Sequence, residues 1–464
     1  MKKILIVGAG FSGSVIAARL IRLVKNVQTH IYLINGGGRI ARGMAYGTQS
    51  QNHVLNVPVG NMSAFEDDQE HFLRYAQEID SMITPSSFVS RRIYGDYLEW
   101  TLSEAERNMS GYCKLVRIYQ NVNGIQYVSD GGSAIATLSN GEKILADHVV
   151  LALGHFNSSR LPITMDQFAE DPRFISDPWD HARIDMIPSR ASVLLLGTGL
   201  TAVDTAMTLL SRNPNRTITA ISRRGLIPQS HRHSAGKPEG SGSETIWGAA
   251  ETVRAQLKAF RQYCSTLKEN GRDWREGFAL LRPVTAKIWQ SYSEKERRRF
   301  LRHVQPYWDT HRHRLAPSIA EQFFTALSDG SVKTLAGRIL DFDITDQSSQ
   351  DNQVKINIKP RGLQNPRSLF VHYIINCTGP CANPQLAKND LVKQLLSVGM
   401  IRSNQLGLGI DVSSNYAVID RDGKESQNLF YIGPWLKADY WEATAVPDLR
   451  VIANRIANLI NEAQ

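Results

Sequence analysis

A chain of 464 residues, 42% hydrophobic and 21% charged, is long enough for two or three domains with cores of their own. Its formal charge of +9 raises nucleic acid as a partner, but the excess is local: residues 251–314 hold 15 Lys or Arg against 7 Asp or Glu, without a nucleic-acid motif. No apolar run reaches membrane-spanning length, and four scattered cysteines exclude a disulfide framework, so a cytoplasmic protein with no membrane or nucleic-acid partner is expected.

The chain opens on an apolar strand, Ile4 to Val7, that breaks into Gly8-Ala9-Gly10-Phe11-Ser12-Gly13 and an amphipathic helix carrying Val15, Ile16, Leu20 and Val24. The three glycines serve separate ends. Gly8 makes the tight turn, Gly10 lets a pyrophosphate approach the backbone, and Gly13 lets helix and strand pack closely. The free N–H groups of the helix then face the phosphates. The next strand, 28–34, ends at Asn35, where dinucleotide folds usually place an acid on the ribose; Asn keeps one acceptor oxygen and loses the charge.

Residues 36–66 are glycine-rich and irregular, a length of loop that is more often functional than idle. Helices are expected over 69–79 and 94–106, and the Arg91–Arg92 pair between them suits a solvated helix start and a cofactor-pocket wall equally. Alternating runs over 115–138 predict a small antiparallel layer. An apolar strand over 146–154 then ends at Gly154, with His155 as a candidate polar contact.

The opening pattern returns over 191–202, where an apolar strand runs into Gly197-Thr198-Gly199-Leu200-Thr201-Ala202 and a helix that holds Asp204. The following strand, 216–221, ends in Ser222-Arg223-Arg224 with no acid, and guanidiniums at that position suit a 2′-phosphate, favouring NADPH over NADH. Two such units predict two nucleotide cofactors.

A Gly/Ser/Pro-rich loop is expected over 234–244, and helices over 246–268 and 294–304. Histidines 231, 233, 303, 311 and 313 lie in this half, but no Cys or clustered carboxylate completes a metal site; no metal is expected, and anion or substrate binding is preferred. Strand patterns over 339–344, 354–358 and 373–376 lead to Cys377-Thr378-Gly379-Pro380. Three residues separate Cys377 from Cys381, not the two of a redox dithiol, so the pair is assigned to packing. A last buried strand ends at Gly433-Pro434, and a terminal amphipathic helix covers 446–460.

In this order the pieces resemble, over essentially the full length, the flavoproteins with two dinucleotide-binding domains, most closely a bacterial family of FAD/NAD(P)-binding proteins related to class B flavin monooxygenases and N-hydroxylases. The marks are both glycine turns, Gly43-Met44-Ala45-Tyr46 to Met62-Ser63-Ala64-Phe65, Arg92-x-Tyr94-Gly95, Ser222-Arg223-Arg224-Gly225, Trp308-x-x-His311-Arg312-x-Arg314, Cys377-Thr378-Gly379-Pro380 and Trp441-Glu442-x-x-Ala445-Val446-Pro447. The resemblance implies an α/β fold with two Rossmann-like dinucleotide-binding domains. The FAD domain is split into 1–160 and 339–464, around an NADPH domain at 161–338 with a helical insertion at about 245–325.

The resemblance also implies roles. FAD would lie on Gly8, Gly10, Phe11, Ser12, Gly13, Asn35, Arg39, Arg42, Met44, Tyr46, Asn56 and Gly154, with Cys377, Thr378, Gly379, Gly433 and Pro434 on the return. NADPH would lie on Gly197, Gly199, Leu200, Thr201, Ser222, Arg223 and Arg224, and Asn56, Ser63 and His155 are the candidate polar groups for catalysis. Two departures matter: Gly433-Pro434 replaces a Gly-Asp that would hold the ribityl chain, and 174–180 lacks the histidine of the Baeyer–Villiger fingerprint, so ketone oxygenation is not expected. The expected activity is a monooxygenase in which NADPH reduces FAD and a flavin hydroperoxide passes oxygen from O2 to a small nucleophile, an amine or amino acid. The alternatives are an NADPH-dependent flavin reductase without oxygen transfer and a non-catalytic flavin-binding redox sensor. A homo-oligomer is left open.

Overall fold

The computed structural model describes residues 1–128, 132–156, 168, 171–233, 251–343 and 353–463. Three sheets organise them. The first has six strands in the spatial order Ala417–Ile419, Glu425–Tyr431, His148–Leu151, Lys2–Val7, Thr29–Ile34 and Cys113–Ile118. All neighbours are parallel except the pair Ala417–Ile419 and Glu425–Tyr431. A parallel sheet is covered on both faces, which is why the central strands are unbroken apolar runs: Ile4, Leu5, Ile6, Val149, Val150, Leu151 and Leu429 are all buried. Each such side chain contributes roughly 1.5–3 kcal/mol by leaving water.

Helix Phe11–Leu23 packs on this sheet beneath helices Arg91–Arg107 and Val446–Glu462. Covered on several sides, it buries Val15, Ile16, Ala17, Ala18, Leu20 and Ile21. The terminal helix repeats apolar residues at helical spacing (Leu449, Ile452, Ala453, Ile456, Ile460) and is tied to the start of the chain. The Lys2 ammonium donates to the carbonyls of Ile460 (2.9 Å) and Ala463, the end of the helix where cations are favoured.

The second sheet has seven strands in the order Arg367–Val371, Val354–Pro360, Val332–Asp343, Ile218–Ser222, Val193–Leu196, Tyr373–Asn376 and Phe174–Ile175. Its centre is parallel, and the strands starting at Val354 and Arg367 extend it antiparallel. All strands from Val332 to Asn376 therefore pair within the second sheet, and the chain crosses back to the first sheet beyond Asn376 rather than at 339. The expected boundary failed because apolar alternation marks a strand without naming its neighbour. Helices Val253–Glu269, Arg275–Leu281, Thr285–Ser291, Glu294–Arg299, Gln305–Arg312 and Pro317–Ser328 fill the interval before Val332.

A third sheet, Val122–Tyr127, Ala134–Leu138 and Lys143–Ala146, is an antiparallel meander. The antiparallel layer expected over 115–138 is thus correct from Val122 onward only. Cys113–Ile118 runs parallel to Thr29–Ile34, with Cys113 opposite Thr29, because the Arg91–Arg107 helix serves as its crossover. It misled because an edge strand is half exposed and mixes polar with apolar residues as a hairpin strand does. The expected loop over 234–244 and the first turn of the helix expected at 246 lie outside the described residues.

Candidate functional site

Both glycine turns use one device. The strand Lys2–Val7 ends at Gly8 with φ +103°, where a Cβ would lie 2.4 Å from the carbonyl oxygen of Ala152. Val193–Leu196 ends at Gly197 with φ +113°, and there a Cβ would lie 2.4 Å from the carbonyl oxygen of Cys377. In each case the turn is pressed against the end of the neighbouring parallel strand, which only a residue without a side chain permits. Gly13 adds the close helix approach, its missing Cβ falling 1.9 Å from the Gly8 oxygen; Ala202 takes that place in the second unit and is buried.

The helices that follow begin at Gly10 and Gly199, with no side-chain cap and no acid in the first turn. Their leading N–H groups and positive dipole ends are therefore left for an anion, and the residues fit two pyrophosphates. Around Gly199, Gly154 and Gly379 a Cβ would meet nothing within 4 Å, so these backbones border open space. Substituting Gly8 by alanine should cost about 1–3 kcal/mol through the positive φ and empty the FAD site, measured as flavin content. The Gly197 variant should keep its flavin and lose NADPH affinity; loss of both ligands from either variant would contradict two separate cradles.

The loop after Asn35 folds over the first turn. The amide of Ala41 donates to Ala9 O at 2.7 Å, and Gly43 comes down on Gly10. The Asn35 amide nitrogen donates to Gly37 O and Gly38 O, both at 2.9 Å, so it shapes the loop, and among the described residues nothing occupies its Oδ1. Phe11 and Tyr46 pack on Tyr94, Tyr46 edge-on at 4.6 Å, and burial pushes the Tyr46 phenol up to about 12. Met44 is exposed at this rim, and Ser12 is half-buried.

Several expected contacts are corrected. The Arg42 guanidinium is buried and pairs with Asp96 and with Glu99 at 2.8 Å, while Arg39 pairs with the other Glu99 oxygen at 2.7 Å. Arg42 therefore pins the loop to helix Arg91–Arg107 and can offer a cofactor only its backbone. Gly95 makes room for it, since a Cβ there would lie 2.7 Å from Arg42 Nη1. Ser63 is fully buried, its hydroxyl donating to Asp68 O at 2.5 Å and accepting from Phe65 N at 3.2 Å, which removes it from the catalytic candidates. The Cys377 thiol is buried against Thr205 at 3.6 Å and pushed up to about 12 by burial, so only its carbonyl, beside Gly197, belongs to the cradle.

The other candidates stand nearer open space. His155 is exposed as a residue, yet desolvation, with the Lys437 ammonium, pushes its imidazole down to about 4, so the ring is neutral at pH 7. Asn56 presents its carbonyl to His231 Nε2 at 3.0 Å and leaves its side chain uncommitted among the described residues. In the second unit Ser222 Oγ accepts from Gly225 N and Thr198 Oγ1, each at 2.9 Å, shaping the turn that carries Arg223 and Arg224. Arg223 is exposed. Arg224 donates to Arg302 O at 3.1 Å and lies 5.1 Å over the Tyr307 ring, held by neutral acceptors with its charge unspent. Thr378 caps Asn376 Oδ1 at 2.7 Å, Thr201 sits half-buried at the helix start beside Leu200, and Gly433 packs on Leu153 O ahead of Pro434.

Sequence reasoning missed the ties between the two units. Arg91 donates to Asp204 Oδ2 at 2.7 Å and spreads over Trp179 at 5.5 Å, so it is neither solvated nor a cofactor wall. His53 bridges Thr48 Oγ1 at 2.7 Å and Thr208 Oγ1 at 2.9 Å, and burial, Arg91 and His181 push it down to about 3, so it bridges as a neutral ring. The helical insertion is docked through Glu442, buried and gripped by Arg312 at 2.8 Å and by Trp308 Nε1 at 3.1 Å, with the Trp289 and Trp441 rings packed at a 34° tilt, 4.6 Å between centroids. Two of the sequence marks, Trp308 to Arg314 and Trp441 to Pro447, are thus two sides of one contact.

Residues 5–156 match the model of a family described as FAD-NAD(P)-binding. No curated protein matches the chain in sequence. Among solved structures it is similar, at 14% identity, to the ornithine N-hydroxylase of Kutzneria sp. 744 studied with reduced FAD, NADP+ and L-ornithine (TM-score 0.64, 98% of each chain). It is also similar to L-lysine 6-monooxygenase from Pseudomonas syringae (14%, 0.65, 99% of each chain) and to the FAD-bound cadaverine monooxygenase of desferrioxamine biosynthesis from Erwinia amylovora (14%, 0.65, 98% of this chain and 94% of that one). The fold is therefore that of the flavoproteins with two dinucleotide-binding domains, shared end to end.

Proposed function

We propose that this chain is an FAD- and NADPH-dependent monooxygenase acting on a small amine or amino acid. The observation that carries it is the pair of uncapped helix starts, each behind a glycine turn, within a fold shared along its whole length with N-oxygenating enzymes. Bound FAD, reduced by NADPH, would supply the oxygen chemistry. This chain's residues do the rest. The Gly10 and Gly199 helix starts hold the pyrophosphates, Arg223 and Arg224 select the phosphorylated nicotinamide cofactor, and the Asn35 oxygen serves the ribose. Asn56 and His155 orient substrate, and His155, neutral at pH 7, accepts or donates a hydrogen bond without adding charge.

The test uses the FAD-loaded protein with NADPH, O2 and a panel that includes L-ornithine, L-lysine and cadaverine. At least one member should speed NADPH oxidation and yield a hydroxylated product matching the NADPH consumed. Anaerobic NADPH that leaves the flavin oxidised would overturn the proposal, and flavin reduction with only hydrogen peroxide formed across the panel would replace it with a reductase.

A further inference from the structure

Away from the two cofactor cradles, cations gather where three stretches of chain meet. Residues 229–232, just past the Arg223–Arg224 pair, run beside Leu315: His231 N donates to Leu315 O at 2.9 Å and Leu315 N to Gln229 O at 2.8 Å. From helix Arg275–Leu281, Arg275 Nε donates to Ser230 O at 2.8 Å. His231 reaches the first-domain loop through the Asn56 carbonyl at 3.0 Å.

Most of the guanidiniums here are matched. Arg275 pairs with Asp273 at 2.9 Å, Arg312 with Glu442 at 2.8 Å, and Arg272 and Arg232 share Glu276 at 2.5 and 3.4 Å. Arg314 differs: among the described residues no carboxylate pairs with it, and its Nε is buried without an acceptor. Its charge centre lies 6.0 Å from the Trp274 ring. Burial, then the like charges of Arg312 and Arg275, opposed by Asp273, with Arg232 beyond, push it down to about 10. Arg314 as a whole is half-buried, and a guanidinium keeps its charge at neutral pH, so one whose Nε is shut away from water without an acceptor suits an incoming anion.

We propose that Arg314 receives the carboxylate of the substrate, which makes an amino acid, not a simple amine, the class of molecule this site takes. The inference rests on the monooxygenase function proposed above and narrows its substrate. The planar fork of Arg matches a carboxylate with two parallel hydrogen bonds. Asn56, among the candidate catalytic groups, lies nearby: its main-chain carbonyl meets His231 Nε2, and His231 feels the Arg314 charge and donates its amide to Leu315, the residue after Arg314. The phosphates of NADPH have their proposed holders elsewhere: Arg224 lies over the Tyr307 ring, on helix Gln305–Arg312, whereas Arg314 lies beyond the end of that helix.

The experiment titrates the FAD-loaded protein with acetate, a minimal carboxylate, and separately with 2′,5′-ADP, a phosphate probe, by calorimetry at fixed ionic strength. Acetate should bind saturably, with a dissociation constant at least tenfold higher in Arg314→Met and a smaller loss in Arg314→Lys, which keeps charge without the fork. The Arg314 variants should keep 2′,5′-ADP affinity, and the Arg223→Ala/Arg224→Ala variant should show the reverse. Absent acetate binding, or equal acetate affinity in folded Arg314→Met or Arg314→Lys, would overturn the site; loss of 2′,5′-ADP affinity on changing Arg314 would reassign it to the cofactor. Acetate binding needs no turnover, so a protein that binds acetate through Arg314 yet oxygenates no amine fails the monooxygenase proposal and not this site.

Discussion

Replacing both Arg223 and Arg224 by alanine should raise the KM for NADPH about 100-fold while the KM for NADH moves less than threefold. Charge-assisted hydrogen bonds contribute about 1.5–3 kcal/mol each, and solvent screening at this open edge argues for the lower end, roughly tenfold per guanidinium. Arg224 carries the better-held half of the effect, because the Arg302 carbonyl and the Tyr307 ring hold its guanidinium without neutralising it. A pre-oriented cation loses less entropy on binding phosphate than a free one. Steady-state kinetics with both nucleotides decides the matter. Equal increases for NADPH and NADH would place the 2′-phosphate elsewhere.

Arg91→Ala should be the most destabilising change at the junction of the two units, by about 3–5 kcal/mol, the cost of leaving a buried charge without its partner. The Arg91 and Asp204 side chains are only 12% and 10% exposed, so water cannot take over the lost contact. The loss should depend on pH. Burial already raises the Asp204 carboxyl above its ordinary value, with Arg91 opposing the rise, and removing Arg91 raises it further. A carboxyl whose folded pKa exceeds its unfolded one contributes stability in acid and loses it as pH climbs through the folded value. The variant should therefore lie nearest to wild type in acid and fall away as pH rises above the ordinary Asp range of about 4. Urea unfolding at pH 5 and pH 8 reads this directly, and Arg91→Met/Asp204→Leu should recover most of the loss, since an apolar pair leaves no buried charge. Equal losses at both pH values would mean that the pair is not the tie.

Much of the fold was legible in the amino-acid order because the information is local. A strand of four apolar residues, a glycine turn and an amphipathic helix follow one another from Ile4 to Leu23, and Gly8 and Gly13 answer to backbone contacts inside that unit or at the end of the adjacent strand. The second unit at Val193 obeyed the same pattern, and the missing acid after Ile221 is the sequence feature on which its proposed NADPH role rests. Partners of strands were less legible. Cys113–Ile118 is a largely half-exposed edge strand of mixed polar and apolar residues and joins a parallel sheet because the preceding helix carries the chain across.

Charged side chains were the least legible, for a physical reason: a guanidinium's role is set by the nearest carboxylate, and that carboxylate can lie anywhere along the chain. Arg91 meets Asp204 across 113 positions, and the Trp308 indole that helps Arg312 hold Glu442 reaches it across 134. Sequence alone determined two glycine turns that lead into helices, the likeness to amine-oxygenating flavoproteins and a basic segment near residue 300. Only the tertiary structure decided that Arg42, Arg91 and Arg312 are matched by acids, and that among the described residues Arg314 has none. Counter-charges are paired in space, whereas the glycine turns are written in consecutive residues.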